Sequence, residues 1–385
     1  MAQQRSNVQF HSDPLPFLDQ SFQAEGDAFW LPGRQLCLAE PAESRAVLAN
    51  AEGLYEDHSD FFHTRRGTFG PRSAQVRIGR AARALLRTYV TARAHELEDR
   101  VRRELVPASS WPDAGNRLVY GHLADALVSP DSPARLRRTV DEIVERGVLA
   151  GAKERRSFLS RALFRFRAER ELARAVKQRR RERSGEPDDL LGVVVNGAGL
   201  DVPPSMLAEV FLSFVFAAAG SIGFTLGWSV YLLGTHPHSA TEPGWIVREA
   251  LRLWPVAWML GARPSQSQEV AGVPVTPEDE VVVCPYLVHR HPEHWEEPAS
   301  YRPERWAGVQ HPQAFIPFGW GPHKCPLGPL SLELVEDVLR ILLDGYRLTV
   351  NTIDPQPFVG PALAPPRFEL GLEAQRLPHQ QRGGE

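Results

Sequence analysis

Cysteine is nearly missing: Cys37, Cys284 and Cys325 are the only three in 385 residues, with no CxxC pair and no second cluster of soft ligands. That scarcity excludes a disulfide framework and a zinc module and fits a reducing compartment, so a cytoplasmic location is expected. Lysine is as scarce. It occurs at 153, 177 and 324, leaving 44 − 3 = 41 arginines, a skew that reads as GC-rich coding and carries no chemistry. An excess of one charge is missing too, since 44 basic and 47 acidic residues leave a net charge of −3. Without such a field there is no general attraction to polyanions, and no nucleic-acid partner is expected. Met1 to Gln20 has no apolar run, so neither a signal peptide nor an N-terminal anchor is expected, and with them no membrane insertion. What is present, 43% hydrophobic and 24% charged residues, is the balance of a globular chain able to bury a large core.

Turn-punctuated apolar pieces predict strands over 27–40, followed by a helix near 41–50. Helical spacing of Ile78, Ala82, Leu85, Leu86, Val90 and Leu97 predicts one broken amphipathic helix over 76–106. Segments 117–150 and 155–184 also read as helical. The Arg179 to Arg183 run at the end of the second, interrupted by Glu182, reads as a solvated helix end. Val210 to Gly234 has no charged residue, long enough to span a bilayer, yet its glycines and hydroxyls and its lack of flanking cation clusters predict a buried central helix. After 253 the texture becomes short strands, near 269–275 and 280–284, then a helix over 331–344 and a strand pair within 346–371. The expectation is one domain over 1–385. Its β-containing parts are 1–72 and 253–320, its mainly helical parts 73–252 and 321–345, and 373–385 is a disordered tail.

The sharpest local signal is Phe318-Gly-Trp-Gly-Pro-His-Lys-Cys325, a glycine-loosened loop that delivers one cysteine just ahead of a helix. Backbone amides there favour a thiolate, and glycines let backbone approach a flat ligand, although the spacing alone fits an inert buried cysteine equally well. This segment resembles the haem-binding loop of the cytochrome P-450 family, in which the cysteine is the axial iron ligand. Glu249-Ala-Leu-Arg252 resembles the family's Glu-x-x-Arg motif. Arg305, 20 residues before Cys325, stands where the family places the third member of that network. Asp188 to Leu191, the Trp228 to Pro237 run, and Arg263 ahead of Val270 to Pro274 resemble bacterial members.

The resemblance implies a mainly α fold with small β-sheets (α+β), with haem b, iron protoporphyrin IX, between a long central helix and the Cys-loop helix. It assigns Cys325 to the iron, and His323, Arg263 and Arg80 to the haem propionates. Phe318, Gly319 and Ala218 would lie against the cofactor. It also implies a small organic substrate, bounded by Ala217, Ala257 and Trp258 under a lid near 55–72, and electrons from a ferredoxin and its reductase. An ungapped alignment on Trp228 and His236-Pro237 puts Gly220 and Ser221 at the family's acid and alcohol, which relay protons during dioxygen activation. A shifted register would promote Thr225 instead. Leu327 replaces a glycine that lets the next helix pass close to the porphyrin. The expected activity is therefore a soluble bacterial monooxygenase that tailors a specialised metabolite, such as an antibiotic. The alternative is haem-thiolate chemistry without that relay: nitrene transfer, dehydration or oxidative ring coupling.

Overall fold

The computed structural model describes residues 10–56, 60–149, 158–182, 185–239, 241–308 and 312–375. Helix α1 (Pro14–Glu25) starts on a proline, whose missing N–H costs nothing there, and stops at Gly26, whose φ of +87° an L side chain resists. Strands β1 (Ala28–Leu31) and β2 (Gln35–Leu38) form a hairpin, followed by α2 (Pro41–Ala49), where the Glu40 side chain accepts from the Glu43 amide. A short hairpin, β3 (His63–Thr64) and β4 (Gly67–Thr68), leads into α3 (Arg72–Ala92). A break at residues 93–96 separates α3 from α4 (Leu97–Leu105), the interruption expected from sequence, although α3 begins earlier than predicted.

Strand β5 (Ala108–Trp111) and helix α5 (Asp113–Leu127) follow. The stretch expected over 117–150 is two helices, α5 and α6 (Ala134–Gly147), because Pro130 and Pro133 cannot continue a helical ladder. Next come α7 (Phe158–Arg181) and α8 (Leu190–Asn196), the latter capped by the buried Asp189 carboxylate, which accepts from the Gly192 amide at 2.7 Å. The uncharged run belongs to one continuous helical rod: α9 (Pro204–Phe216), a π-helical turn over Ala217–Ile222, and α10 (Gly223–Thr235). By length and composition this rod could cross a membrane, but 67% of its apolar window is buried inside the protein. Leu207, Val210, Phe211, Phe214, Leu226 and Val230 all lie in the largest core cluster, as expected for a central helix.

After α11 (Pro243–Leu253) come the short strands β6 (Leu260–Ala262), β7 (Gln268–Val270), β8 (Val273–Val275) and β9 (Glu280–Val283). One mixed sheet has the order β1-β2-β9-β6, with β2 parallel to β9. Helix α12 (Gly328–Gly345) runs straight into β10 (Tyr346–Asp354). The small β11 (Phe358–Val359) and β12 (Leu363–Ala364) pair, and β13 (Arg367–Ala374) closes the described chain. β13 lies between β10 and β5, so a second sheet joins residues 108–111 to the C-terminal region. Glu373 and Ala374, expected in a disordered tail, are strand residues. The remainder of that expected tail, from 376, lies outside the described residues.

Candidate active site

Cys325 sits between a glycine-rich loop and α12. Gly319 and Gly321 have φ of +72° and +68°, and at Gly321 a Cβ would lie 2.7 Å from the Ala49 Cα, so no side chain fits there. The loop closes on itself through the Cys325 amide, which donates to the Phe318 carbonyl at 2.9 Å. Burial pushes the Cys325 thiol up, while the amides of Leu327 and Gly328 on the sulphur and the nearby Lys324 charge act in the opposite direction. The amides thus act as the sequence suggested, but in the protein alone burial outweighs them. Leu327 turns its side chain into the main core and is 7% exposed. The glycine forced by close approach is instead Gly328, where a Cβ would lie 2.8 Å from the Phe318 ring.

Cations gather beside this loop, though not all of those expected. Arg72, in the first turn of α3, donates from Nη1 to His323 Nδ1 at 3.1 Å and to Gln75 Oε1 at 3.1 Å. Gly79, two turns along the same helix, abuts Pro326, with 3.3 Å between a Cβ there and the proline Cγ. Arg80, two turns further along α3, is exposed, and among the described residues it is Arg72 that meets His323 of the loop. Arg263 follows β6, whose Leu260 lies beside Gly319. The Arg263 carbonyl accepts from the Glu56 amide at 2.9 Å, and its exposed guanidinium makes no ion pair among the described residues.

The Glu-x-x-Arg helix is α11, and its network is buried. Arg252 meets Glu249 through two bonds of 2.8 Å, with both side chains 0% exposed. Glu249 also accepts from Arg305 Nε at 3.1 Å, the Arg302 amide at 3.0 Å and Trp306 Nε1 at 3.0 Å. The remaining donors of Arg252 go to the carbonyls of His289, Pro298 and Ser300. His289 ties this network toward the cysteine loop. Its Nε2 accepts from the Ile316 amide at 2.8 Å, so Nδ1 carries the proton and donates to the Leu251 carbonyl at 3.1 Å. Burial pushes the His289 imidazole down to about 3, so it is neutral at neutral pH.

On the central helix, Ala217 and Ser221 are half-buried on one side of the π turn, while Ala218, Ala219 and Gly220 are buried. Among the described residues a Cβ on Gly220 would meet only Val148 Cγ1, at 3.7 Å, so their packing does not forbid a side chain there. Thr225 donates to the Ser221 carbonyl at 2.9 Å, so its hydroxyl is engaged with the helix backbone. Ala257 is half-buried. The Trp258 indole donates to the Gly360 carbonyl at 2.8 Å, and its ring belongs to a second core around Trp228. Sequence reasoning missed Arg72, whose signal was its place one residue after Pro71 at a helix start.

The expected lid is the β3–β4 hairpin, of which residues 57–59 lie outside the described residues. Its tip is clasped by two carboxylates. The Arg65 guanidinium donates to Glu169 on α7 at 2.6 Å and its amide to Glu209 on α9 at 2.8 Å. Beneath it, Phe61 packs edge-on against Phe214 at 4.7 Å, three residues before the π turn.

The donor chemistry fits a haem iron. One soft sulphur receives peptide N–H groups, cations lie beside it, and no cluster of three His, Cys, Asp or Glu exists among the described residues. Residues 244–367 match the cytochrome P450 family model. Human cytochrome P450 4V2 is 26% identical over 219 residues, which is 49% of this chain and 39% of that protein, so the matched region spans well under half of the relative. A zebra fish cytochrome P450 superposes with a TM-score of 0.72 at 19% identity, covering 93% of this chain and 98% of that one. CYP109E1 from Bacillus megaterium gives 0.73 at 16% identity, covering 93% and 98%. At such identities the likeness is one of fold, and the fold is that of cytochrome P450 structures. Residues 244–367 thus resemble the cytochrome P450 family, and the chain has the fold of cytochrome P450 structures.

Proposed function

We propose that this chain is a haem-thiolate oxidoreductase, a soluble bacterial monooxygenase that tailors a small specialised metabolite in the cytoplasm with electrons from a ferredoxin and its reductase. The observation that carries the reading is Cys325, presented by a glycine-shaped loop with two peptide N–H groups on its sulphur. Cys325 would ligate the iron of haem b, which when bound supplies oxidising power that no side chain possesses. Arg72, His323 and Arg263 would hold its propionates by charge-assisted hydrogen bonds, and Phe318, Gly319 and Ala218 would lie against it. Ala217 and Ala257 leave room for substrate, and the Arg65 clasp shuts out water. Ser221 would pass a proton toward the distal face. On the cysteine loop Lys324 is exposed, and Arg45 stacks 5.3 Å over the partly exposed Trp320 ring. That surface suits an acidic electron carrier.

With surrogate ferredoxin and reductase, substrate turnover should consume NADPH and dioxygen in step with product, and Ser221→Ala should uncouple them. The second reading, nitrene transfer, dehydration or oxidative coupling, is favoured by Gly220, where an acid is missing although packing leaves it space. Turnover without dioxygen would establish nitrene transfer or dehydration and overturn the first reading.

A further inference from the structure

Asn116 on α5 is fully buried, and neither its Nδ2 nor its Oδ1 has a hydrogen-bond partner among the described residues. Buried amides are rarely left so, because the desolvation is uncompensated, and the usual partner in such a place is an ordered water. The position of Asn116 says where that water lies. Helix α5 packs along both the π turn and α10. At Gly223 it crosses so closely that a Cβ there would lie 2.8 Å from the Asn116 Cα, and Oδ1 is closer still. Gly220 lies one turn earlier in the rod, and among the described residues a Cβ there would meet only Val148, at 3.7 Å. The π turn also shifts backbone pairing from i→i+4 to i→i+5, a local irregularity common at functional sites. Next in the chain is Ser221, whose hydroxyl has no partner among the described residues.

We propose that Asn116 is a positioning residue that holds a water molecule in the gap beside Gly220, so that this water replaces the missing acid as the neighbour of Ser221. The inference rests on the reading of Ser221 as the proton-handling hydroxyl. An amide neither takes up nor releases a proton near neutral pH, so Asn116 orients the water through Nδ2–H and Oδ1. When Ser221 gives up its proton, its oxygen takes one from the water, and solvent restores the water's proton.

A crystal structure of the protein at a resolution that shows waters should find one bonded to the Asn116 amide. It should be lost in Asn116→Leu and kept in Asn116→Asp. In the loaded enzyme, Asn116→Leu should lower product formed per NADPH at least threefold with KM unchanged and enlarge the solvent isotope effect, and Asn116→Asp should restore coupling. A dry amide in the wild-type crystal would overturn the proposal. So would a higher melting temperature in Asn116→Leu, the response of an unsatisfied amide replaced by an apolar group, or coupling unaltered in that variant. If the wild type binds no haem through cysteine, the functional reading fails, while the water is still decided by the crystal structure and the melting temperatures.

Discussion

Helix α11 and the π turn of the central helix are both buried, yet their polar groups are treated in opposite ways. Around α11 the Glu249 carboxylate accepts from Arg252, Arg302, Arg305 and Trp306, and Arg252 spends its other donors on three carbonyls. Around the π turn neither Asn116 nor the Ser221 hydroxyl has a side-chain hydrogen-bond partner among the described residues, and a Cβ on Gly220 would meet only Val148 among them. The full pairing of Glu249 and Arg252 makes the first region a rigid frame, because every rearrangement of the pair breaks charge-assisted bonds in a low dielectric. Open polar valence makes the second a place that must be completed by water or ligand. The frame positions the cysteine loop through His289 and Ile316, and the proposed proton handling lies on the less complete side.

Breaking the frame should have the largest effect. Glu249→Ala leaves the wholly buried Arg252 charge without its partner, and such a loss costs about 3–5 kcal/mol, so chemical denaturation should show a collapse of stability or no folded protein. The cations beside the cysteine come next. Each charge-assisted hydrogen bond contributes about 1.5–3 kcal/mol, so Arg72→Ala should speed haem loss to an apo-globin acceptor roughly tenfold or more, whereas Arg80→Ala should leave it unchanged.

Acid should weaken the frame in a stated direction. His289 is held down to about 3 and His122, by burial and the Arg100 charge, down to about 4, both below the unfolded value near 6.5. Between 6.5 and these values the unfolded chain binds protons that the folded chain does not. Stability is therefore full above about 6.5 and falls as pH drops, by up to about 1.4 kcal/mol per pH unit for each histidine. A melting curve series from pH 7 to 4 should show the fall, less steep in His289→Gln. The smallest effect belongs to the lid. The Arg65–Glu169 pair is exposed, 53% and 43%, and such pairs contribute about 1 kcal/mol or less. Glu169→Gln should therefore raise tryptic cleavage at Arg65 and Arg66 only about two- to fivefold, and added salt should do the same to the wild type. Cleavage indifferent to both would mean that the clasp does not hold the hairpin.

The contrast also explains what could be read in advance. The frame was legible because its chemistry lies in short motifs: Glu249, Arg252 and Arg305 meet as expected, and the cysteine loop closes as its glycines require. The central helix was legible from its uncharged run. The β5–β13 pairing was not, because Ala-Ser-Ser-Trp is an unremarkable tetrapeptide whose partner lies more than 250 residues away. Helix α1 was missed because it buries only Leu15 and Leu18. The membership of Trp258 in the Trp228 core was not legible, because an aromatic beside a pocket and one inside a neighbouring core have the same sequence. Arg72 and Arg80 differ only by the side of α3 on which each emerges, which depends on packing against Pro326. The π turn has no sequence signature beyond its small residues.

The measurement closest to the central claim is the carbon monoxide difference spectrum of the dithionite-reduced protein, wild type against Cys325→Ala. The account predicts a red-shifted Soret band of thiolate type in the wild type and its loss in the variant. A histidine-type band, or the same thiolate band in both proteins, would contradict it.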